Sequence, residues 1–236
     1  MSLPVAVLAG GLATRLGPVT STIPKSLVDV AGRPFAEHQI ALLVRHGLTD
    51  IVFLVGHLGD MVCDALGDGS RLGVRLRYVF DGPVACGTGG AIRRALPELG
   101  EAFFVLYGDS YLECDYEAIE RVFTASGKPG LMTVCRNDDQ WDRSNVLLEE
   151  GRIIRYDKLG KTIEMRHIDY GLGTFKASAF AGRDDRPFDL ALVYQDLLAR
   201  DDLASFEVPT RFYEIGSPSG LAATRDYIAQ RETTTR

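Results

Sequence analysis

Three short runs of apolar residues constrain the fold of this chain more than any other feature. They occupy residues 4–9, 51–55 and 102–107, and none of them contains a charged residue. A continuous apolar run of this length is typical of a strand that is buried on both faces in a parallel sheet. The first run ends at Gly10-Gly11 and the third at Gly108-Asp109, so glycine gives the backbone extra freedom directly after two of these strands.

Helical patterns lie between and after the apolar runs. They cover residues 35–46, 58–66, 87–96 and 115–123. Alternating strands and helices predict right-handed β-α-β units, whose ligands gather at the carboxyl ends of the strands. From about residue 130 the strand-like segments are shorter, which indicates mixed or antiparallel pairing, and a last helix begins at Ser217-Pro218. We therefore expect an α/β fold, Rossmann-like, with a mixed, mainly parallel central sheet flanked by helices.

The composition indicates a globular protein and argues against two classes of partner. The chain has 236 residues, of which 46% are hydrophobic and 25% charged, and this suits a single domain over residues 1–236. A formal net charge of −6 argues against a nucleic-acid-binding surface, and no segment is typical of a membrane protein. The four cysteines are far apart, and the apolar start lacks the basic residues of a secretory leader. We therefore expect reduced thiols and a cytoplasmic location.

The loop after the first apolar run combines glycines with cations. It reads GGLATRLGPVTSTIPKS from Gly10 to Ser26. Backbone amides at a strand-to-helix turn bind anions, glycine allows a phosphate to approach closely, and Arg15 and Lys25 would add two full charges. The spacing matches neither the Walker A loop nor the G-x-G-x-x-G pattern of dinucleotide-binding proteins. The loop therefore predicts an anion site of another kind.

This loop resembles the sugar-1-phosphate nucleotidyltransferase family. The family pattern, G-G-x-[GA]-T-R-L followed by P-K, is matched by Gly10, Gly11, Ala13, Thr14, Arg15, Leu16, Pro24 and Lys25. The resemblance extends over nearly the whole chain and implies the nucleotide-diphospho-sugar transferase fold without a C-terminal β-helix. It implies a nucleotide-binding half, residues 1–125, and a sugar-binding half, residues 126–236. The residues that it implies for nucleotide binding are Leu8, Ala9, Gly10, Gly11, Thr14, Arg15, Gly87, Thr88 and Gly89.

The resemblance also implies a metal site and a sugar-phosphate site. Asp109 resembles the aspartate that binds Mg²⁺, and Glu214 stands where the family more often has the aspartate that completes the metal site. Asp157 precedes Lys158 where the family more often has a glutamate, and the lysine of that pair meets the sugar phosphate. The residues implied to bind the sugar phosphate are Lys158, Asp169, Tyr170 and Gly171.

The implied reaction forces anions together. A sugar 1-phosphate oxygen attacks the α-phosphorus of a nucleoside triphosphate and pyrophosphate leaves in line, so the protein has to supply positive charge and alignment rather than a nucleophile. Arg15 would bind the β- and γ-phosphates with its planar fork, and Lys25 would bridge the attacking phosphate and the α-phosphate. Arg15 and Lys25 are therefore the expected catalytic residues, and Mg²⁺ is the expected cofactor.

Several substrates and two other functions stay open at the level of the sequence. The segment from Gly87 to Ile92 resembles most the heptose- or mannose-1-phosphate guanylyltransferases, which implies GTP. Uridylyltransferases acting on N-acetylmuramate or glucose 1-phosphate, and cytidylyltransferases, share the same motifs. A catalytically silent sugar-nucleotide sensor would be expected to lack Arg15, Lys25 or Asp109. A glycosyltransferase would be expected to carry D-x-D where this chain has Asp109-Ser-Tyr, and the sequence is silent on oligomeric state.

Overall fold

A computed structural model describes residues 2–11, 22–184 and 186–234, and these residues form six α-helices and thirteen β-strands. The helices are α1 (Phe35–Arg45), α2 (Gly59–Leu66), α3 (Gly87–Leu99), α4 (Tyr116–Ser126), α5 (Leu190–Ala199) and α6 (Pro218–Thr234). The strands are β1 (Val5–Leu8), β2 (Asp29–Val30), β3 (Arg33–Pro34), β4 (Asp50–Val55), β5 (Arg75–Phe80), β6 (Ala102–Tyr107), β7 (Ser110–Tyr111), β8 (Gly130–Arg136), β9 (Val146–Glu149), β10 (Arg152–Tyr156), β11 (His167–Lys176), β12 (Leu203–Glu207) and β13 (Tyr213–Glu214).

The chain divides into two compact units, each built from separate stretches of sequence. Unit 1 comprises Met1–Ala85, Leu106–Tyr111 and Phe212–Arg236, and unit 2 comprises Cys86–Val105 and Leu112–Arg211. These bounds differ from the halves 1–125 and 126–236, so the predicted assignment of those halves to nucleotide and sugar stays a prediction.

Unit 1 contains a parallel sheet in which β4 lies between β1 and β5. Val5, Ala6, Ile51 and Val52 have no exposed surface, which explains why the sequence of β1 and β4 is apolar without interruption. Helix α1 adds an apolar face that includes Phe35 and other buried residues. The strands and helices predicted for this part of the chain are confirmed.

Helix α6 belongs to unit 1 and packs on an aromatic cluster. Tyr227 stacks on Tyr213 with ring centroids 3.9 Å apart and meets the edge of Tyr111 at 6.3 Å. The Oγ of Ser217 accepts a hydrogen bond of 3.0 Å from the backbone amide of Gly220, so the predicted serine cap is confirmed. The helix continues to Thr234.

Unit 2 contains a sheet of mixed pairing. Strand β8 is antiparallel to β11 and parallel to β12, and β9 is antiparallel to both β10 and β11. The mixed pairing predicted for the second part of the chain is therefore confirmed. Asp115 caps helix α4, since its side chain accepts a 2.9 Å hydrogen bond from the Ala118 amide.

The four cysteines form no disulfide. Burial raises the pKa of the Cys114 thiol to about 12 and that of Cys135 to about 11, so both stay protonated near neutral pH. The lack of a disulfide agrees with the reduced thiols that the sequence predicts. Among the residues that the structure describes, no helix is both long enough and apolar enough to cross a membrane.

Candidate active site

The glycine turn after β1 lies against the end of β4 in unit 1. A Cβ on Gly10 would stand 3.2 Å from the Oδ2 atom of Asp81 and 3.3 Å from the backbone nitrogen of Gly56. A Cβ on Gly56 would stand 2.9 Å from the carbonyl oxygen of Gly10. These two glycines let the chain turn at the carboxyl edge of the parallel strands, where the sequence predicts the ligand.

Gly11 differs from Gly10, because no described residue lies within 4 Å of the position that its Cβ would take. Packing among the described residues therefore gives no reason for glycine at this position, whereas the close approach of a phosphate would give one. Thr14 and Arg15 lie outside the described residues, and their predicted roles stay predictions. Leu8 and Ala9 hold the turn at its start, where the Ala9 amide donates to the Leu54 carbonyl at 2.8 Å.

Lys25 and Asp109, 84 residues apart in sequence, form an ion pair in unit 1. Their Nζ and Oδ2 atoms are 2.9 Å apart, and the two side chains are 18% and 25% exposed. Asp109 follows β6, where the amide of Gly108 donates to the Leu8 carbonyl at 3.0 Å. A Cβ on Gly108 would stand 2.5 Å from that carbonyl oxygen, so only glycine brings Asp109 this close to the glycine turn. Two of the predicted site residues are thus brought together.

The carboxylate of Asp109 fits the donor chemistry that Mg²⁺ requires. Its Oδ2 atom accepts a hydrogen bond from Lys25, while Oδ1 accepts a weak hydrogen bond of 3.4 Å from the Ser110 hydroxyl. Mg²⁺ is commonly bound by one or two carboxylates together with waters and substrate phosphates. No group of three or more His, Cys, Asp or Glu side chains suited to a metal occurs in the part of the chain that the structure describes. Waters and substrate phosphates would supply further ligands.

The backbone of Glu214 lies next to Asp109, but its carboxylate caps helix α6. Glu214 pairs with Ser110 between β13 and β7, and the Ile215 amide donates to the Asp109 carbonyl at 2.9 Å. The Glu214 side chain accepts hydrogen bonds from the Gly216 amide and, at 3.1 and 2.6 Å, from the amide and hydroxyl of Ser217. In this conformation the carboxylate satisfies free amides at the start of α6, and a role as metal ligand stays a prediction.

The glycines at the start of α3 in unit 2 are packed against Phe188. A Cβ on Gly89 would stand 2.2 Å from a carbon of the Phe188 ring, and one on Gly87 would stand 2.5 Å from the Phe188 carbonyl oxygen. Gly87 also has a φ of +72°, which disfavours other residues. The Phe188 carbonyl accepts a hydrogen bond of 3.0 Å from the Gly89 amide, and the Thr88 hydroxyl accepts one of 2.8 Å from the Leu190 amide. These contacts account for the glycines without a ligand, and nucleotide binding by residues 87–89 stays a prediction.

Lys158 pairs with an aspartate that the sequence reading missed. Its Nζ is 3.2 Å from Oδ1 of Asp189, and the same oxygen accepts the Ala191 amide at 2.7 Å and so caps α5. Aspartate before an apolar helical segment is a recognisable cap signal. No sequence pattern predicts that Asp189 pairs with a lysine 31 residues earlier.

Asp169 and Gly171 lie at an irregularity of β11. The register between β11 and β8 shifts between Asp169 and Gly173, and Gly171 has a φ of +94°. The Asp169 carboxylate accepts the Tyr156 hydroxyl at 3.2 Å and the Gly171 amide at 3.1 Å. Burial raises the pKa of Asp169, although Lys158 acts in the opposite direction.

Tyr170 is 1% exposed. Its ring is therefore enclosed within unit 2, and a contact of this side chain with a sugar stays a prediction.

Curated relatives match much of the chain. It is 29% identical to mannose-1-phosphate guanyltransferase beta-B of Xenopus laevis over 219 residues, which is 90% of this chain and 61% of that protein. It is 40% identical to an N-acetylmuramate alpha-1-phosphate uridylyltransferase of Neisseria meningitidis over 124 residues, which is 52% of this chain and 53% of that protein. The chain thus spans less than two thirds of the length of these relatives.

Solved structures share the fold. HddC from Yersinia pseudotuberculosis, crystallised in complex with GMP-PN, matches with a TM-score of 0.81 at 23% identity, covering 96% of this chain and 100% of that one. This likeness confirms the predicted α/β fold. A family model described as nucleotidyl transferase matches residues 5–144, which include the glycine turn, Lys25 and Asp109. More than half of the chain lies within that match, and the chain belongs to the nucleotidyl transferase family.

Proposed function

We propose that this protein transfers a nucleotidyl group from a nucleoside triphosphate to a sugar 1-phosphate, giving a nucleoside-diphosphate sugar and pyrophosphate. The observation that carries the proposal is the ion pair of Lys25 with Asp109 beside the glycine turn of unit 1. Family membership and the names of the curated relatives support the reaction class.

Positive charge at fixed positions is what this reaction needs most. A phosphate oxygen of the sugar 1-phosphate bonds to the α-phosphorus while the bond to the pyrophosphate oxygen breaks, and all the reacting groups are anionic. An ammonium has three N–H donors, so Lys25 can keep its bond to Asp109 and still donate two hydrogen bonds to phosphate oxygens. Arg15 would hold the β- and γ-phosphates of the leaving group with a bidentate fork.

Asp109 would hold the divalent cation, with phosphate oxygens supplying further ligands. Bound there, Mg²⁺ would neutralise charge that develops between the α-phosphate and the leaving pyrophosphate. Asp109 also fixes the ammonium of Lys25 at 2.9 Å, so the same carboxylate would orient two positive groups.

Unit 2 would bind the sugar phosphate. Lys158 offers an ammonium held by Asp189 at 3.2 Å, and Asp169 offers a carboxylate that can accept hydrogen bonds from sugar hydroxyls. The bulge at Asp169 and Gly171 suits a binding role, because bulges are common beside active sites, where they redirect side chains.

GTP with a mannose- or heptose-type 1-phosphate is the substrate pair we infer. The curated relatives that match 90% of the chain at 25–29% identity are named as mannose-1-phosphate guanyltransferases. A uridylyltransferase is the second candidate, since the relative with 40% identity over 124 residues is named for N-acetylmuramate 1-phosphate and uridylyl transfer. The reduced thiols agree with the cytoplasmic location that we infer.

A substrate panel tests this proposal. Purified protein and Mg²⁺ are incubated with each of the four ribonucleoside triphosphates and a set of sugar 1-phosphates, and pyrophosphate release is followed. GTP with a mannose-configured sugar 1-phosphate is expected to react fastest. Turnover confined to UTP would reject the guanylyl assignment, and no turnover with any pair would reject the reaction class.

Asp109→Asn tests the metal site. The amide cannot replace the carboxylate, and we expect kcat to fall by about a hundredfold to a thousandfold, because each such electrostatic contact contributes at this level. Asp115→Asn is the matched control, since it changes an aspartate that only caps α4 and asparagine caps equally well. An Asp109→Asn variant with unimpaired Mg²⁺-dependent turnover would show that the metal binds elsewhere.

A further inference from the structure

A buried amide on α1 joins the two sides of the turn that carries Asp109. Gln39 is 2% exposed, and its Nε2 donates to the carbonyl oxygens of Tyr107 at 3.2 Å and Ser110 at 2.6 Å. Those carbonyls belong to the residues on either side of the Gly108-Asp109 pair. One side chain therefore holds both ends of this turn.

Only a group with two donors on one atom can make this contact. The NH₂ of glutamine offers two N–H groups, whereas a flipped amide would direct an oxygen at two carbonyl oxygens. The two carbonyls therefore fix the orientation of the amide.

The Oε1 atom of Gln39 is buried and has no hydrogen-bond partner among the described residues. A buried acceptor without a partner is unfavourable, and native structures keep few of them. An apolar residue on this buried face of α1, where Ile40 and Leu43 also lie, would avoid that cost but would take the donor away from both carbonyls of the turn. The glutamine is therefore explained by the two bonds that it donates to the turn rather than by packing.

The Gly108-Asp109 turn has further restraints from unit 1. The Gly108 amide donates to the Leu8 carbonyl, and the Asp109 carbonyl accepts the Ile215 amide at 2.9 Å. Gln39 adds the bonds that reach both flanking carbonyls from a packed helix, and a rigid element positions a site more accurately than a loop does. The Asp109 carboxylate then stands 2.9 Å from Lys25.

We propose that Gln39 is a positioning residue, which holds the Gly108-Asp109 turn so that the carboxylate of Asp109 can bind a divalent cation beside Lys25. This inference rests on the proposed function, because it takes Asp109 to be the metal-binding carboxylate. Gln39 itself contacts neither the cation nor the substrates.

Gln39→Met tests the inference, because methionine keeps the length of the side chain and removes both donors. The measurement is Mn²⁺ binding to the full chain by electron paramagnetic resonance, with and without GTP. We expect the Kd for Mn²⁺ to rise by about tenfold or more, which corresponds to a loss of about 1.4 kcal/mol in the free energy of Mn²⁺ binding. The Mg²⁺ concentration for half-maximal turnover should rise in parallel, while kcat at saturating Mg²⁺ changes less.

Tyr116→Phe is the matched control for a merely structural effect. It removes another buried bond from a side chain to a carbonyl, that of the Tyr116 hydroxyl with Leu112 at 3.0 Å, on α4 of unit 2. We expect this variant to have a lower Tm and an unchanged Kd for Mn²⁺. If Gln39→Met lowers the Tm and leaves Mn²⁺ binding as in the wild type, the inference is overturned.

Two more variants separate the possible failures. Gln39→Asn keeps the amide but shortens the side chain by one methylene, and it should weaken Mn²⁺ binding if Gln39→Met does not fold. Asp109→Asn is titrated in the same way. If Asp109→Asn leaves Mn²⁺ binding unchanged, the proposed metal site fails and the inference with it; if Asp109→Asn weakens binding and both Gln39 variants do not, only the inference fails.

Discussion

Two glycine-rich turns look alike in the sequence and differ in the structure. The turn after β1 in unit 1 places Gly11 where no described residue lies within 4 Å of a Cβ. The turn at the start of α3 in unit 2 places Gly89 against the ring of Phe188, where a Cβ has no room. Glycine at position 89 thus serves packing, whereas no contact among the described residues accounts for glycine at position 11. A glycine motif by itself does not distinguish a ligand cradle from a close contact within the chain.

The largest effect that would test this difference is on the stability of unit 2. Gly89→Ala puts a methyl 2.2 Å from a ring carbon of Phe188, so the ring has to move. Overpacking costs about 1–3 kcal/mol, partly offset by the better helix propensity of alanine, and we expect a net loss of about 2 kcal/mol in the free energy of unfolding. Urea unfolding measures it.

A double-mutant cycle identifies the cause of that loss. In Gly89→Ala combined with Phe188→Ala, the methyl enters space that the ring has left, so the two changes should cost less together than the sum of the single changes. Strictly additive losses would show that the ring contact is not the reason for glycine at position 89.

The contrast between these turns also shows which features can be predicted from the sequence alone. β1, β4 and β6 were identified because strands buried on both faces have uninterrupted apolar sequences. Helix α5 was missed, since apolar residues lie nearly all around it and the segment before it is charged. The contact of Phe188 with residues 87–89 joins positions about a hundred residues apart, and no local pattern encodes such a tertiary contact.

The candidate site shows the same limit. The loop motif predicts Lys25 and the family resemblance predicts Asp109, and the structure brings the two side chains to 2.9 Å. Gln39 and Asp189 were missed because each acts through a partner distant in the sequence. The strands β7 and β13 have two residues each and pair across about a hundred residues, so the place of Glu214 beside Asp109 depended on the family motif rather than on any strand pattern.

A smaller effect, on affinity rather than stability, is expected at the first turn. Gly11 does not have a positive φ, so Gly11→Ala should change the free energy of unfolding by no more than about 0.5 kcal/mol. The added methyl would hold a phosphate away from the backbone amides, and we expect the Kd for GTP to rise about tenfold, a change of about 1.4 kcal/mol. Isothermal calorimetry measures it. Unchanged affinity with reduced stability would make this turn a second packing contact and remove the contrast.

The smallest effect concerns two aspartates, Asp109 and Asp169, whose carboxylates have different partners. Asp109 meets an ammonium at 2.9 Å, whereas Asp169 accepts bonds from a hydroxyl and a backbone amide. Burial raises the pKa of Asp169 in the folded state. Between the ordinary aspartate pKa of about 3.9 and the raised value, the folded chain therefore holds a proton at this carboxyl that the unfolded chain has released.

Within that window stability falls as pH rises, because the unfolded chain releases the proton first. Asp169→Asn removes this dependence. The free energy of unfolding of the variant, measured relative to the wild type in urea between pH 4 and pH 7, should therefore increase with pH, while the KM for the sugar 1-phosphate rises. Asp184→Asn is the control, since hydrogen bonds from Arg186 lower the pKa of that exposed carboxyl, so it titrates below this range and its difference from the wild type should stay nearly constant. A difference between Asp169→Asn and the wild type that stays constant across this range would mean that the hydrogen bonds from Tyr156 and Gly171 offset the effect of burial on the Asp169 carboxylate.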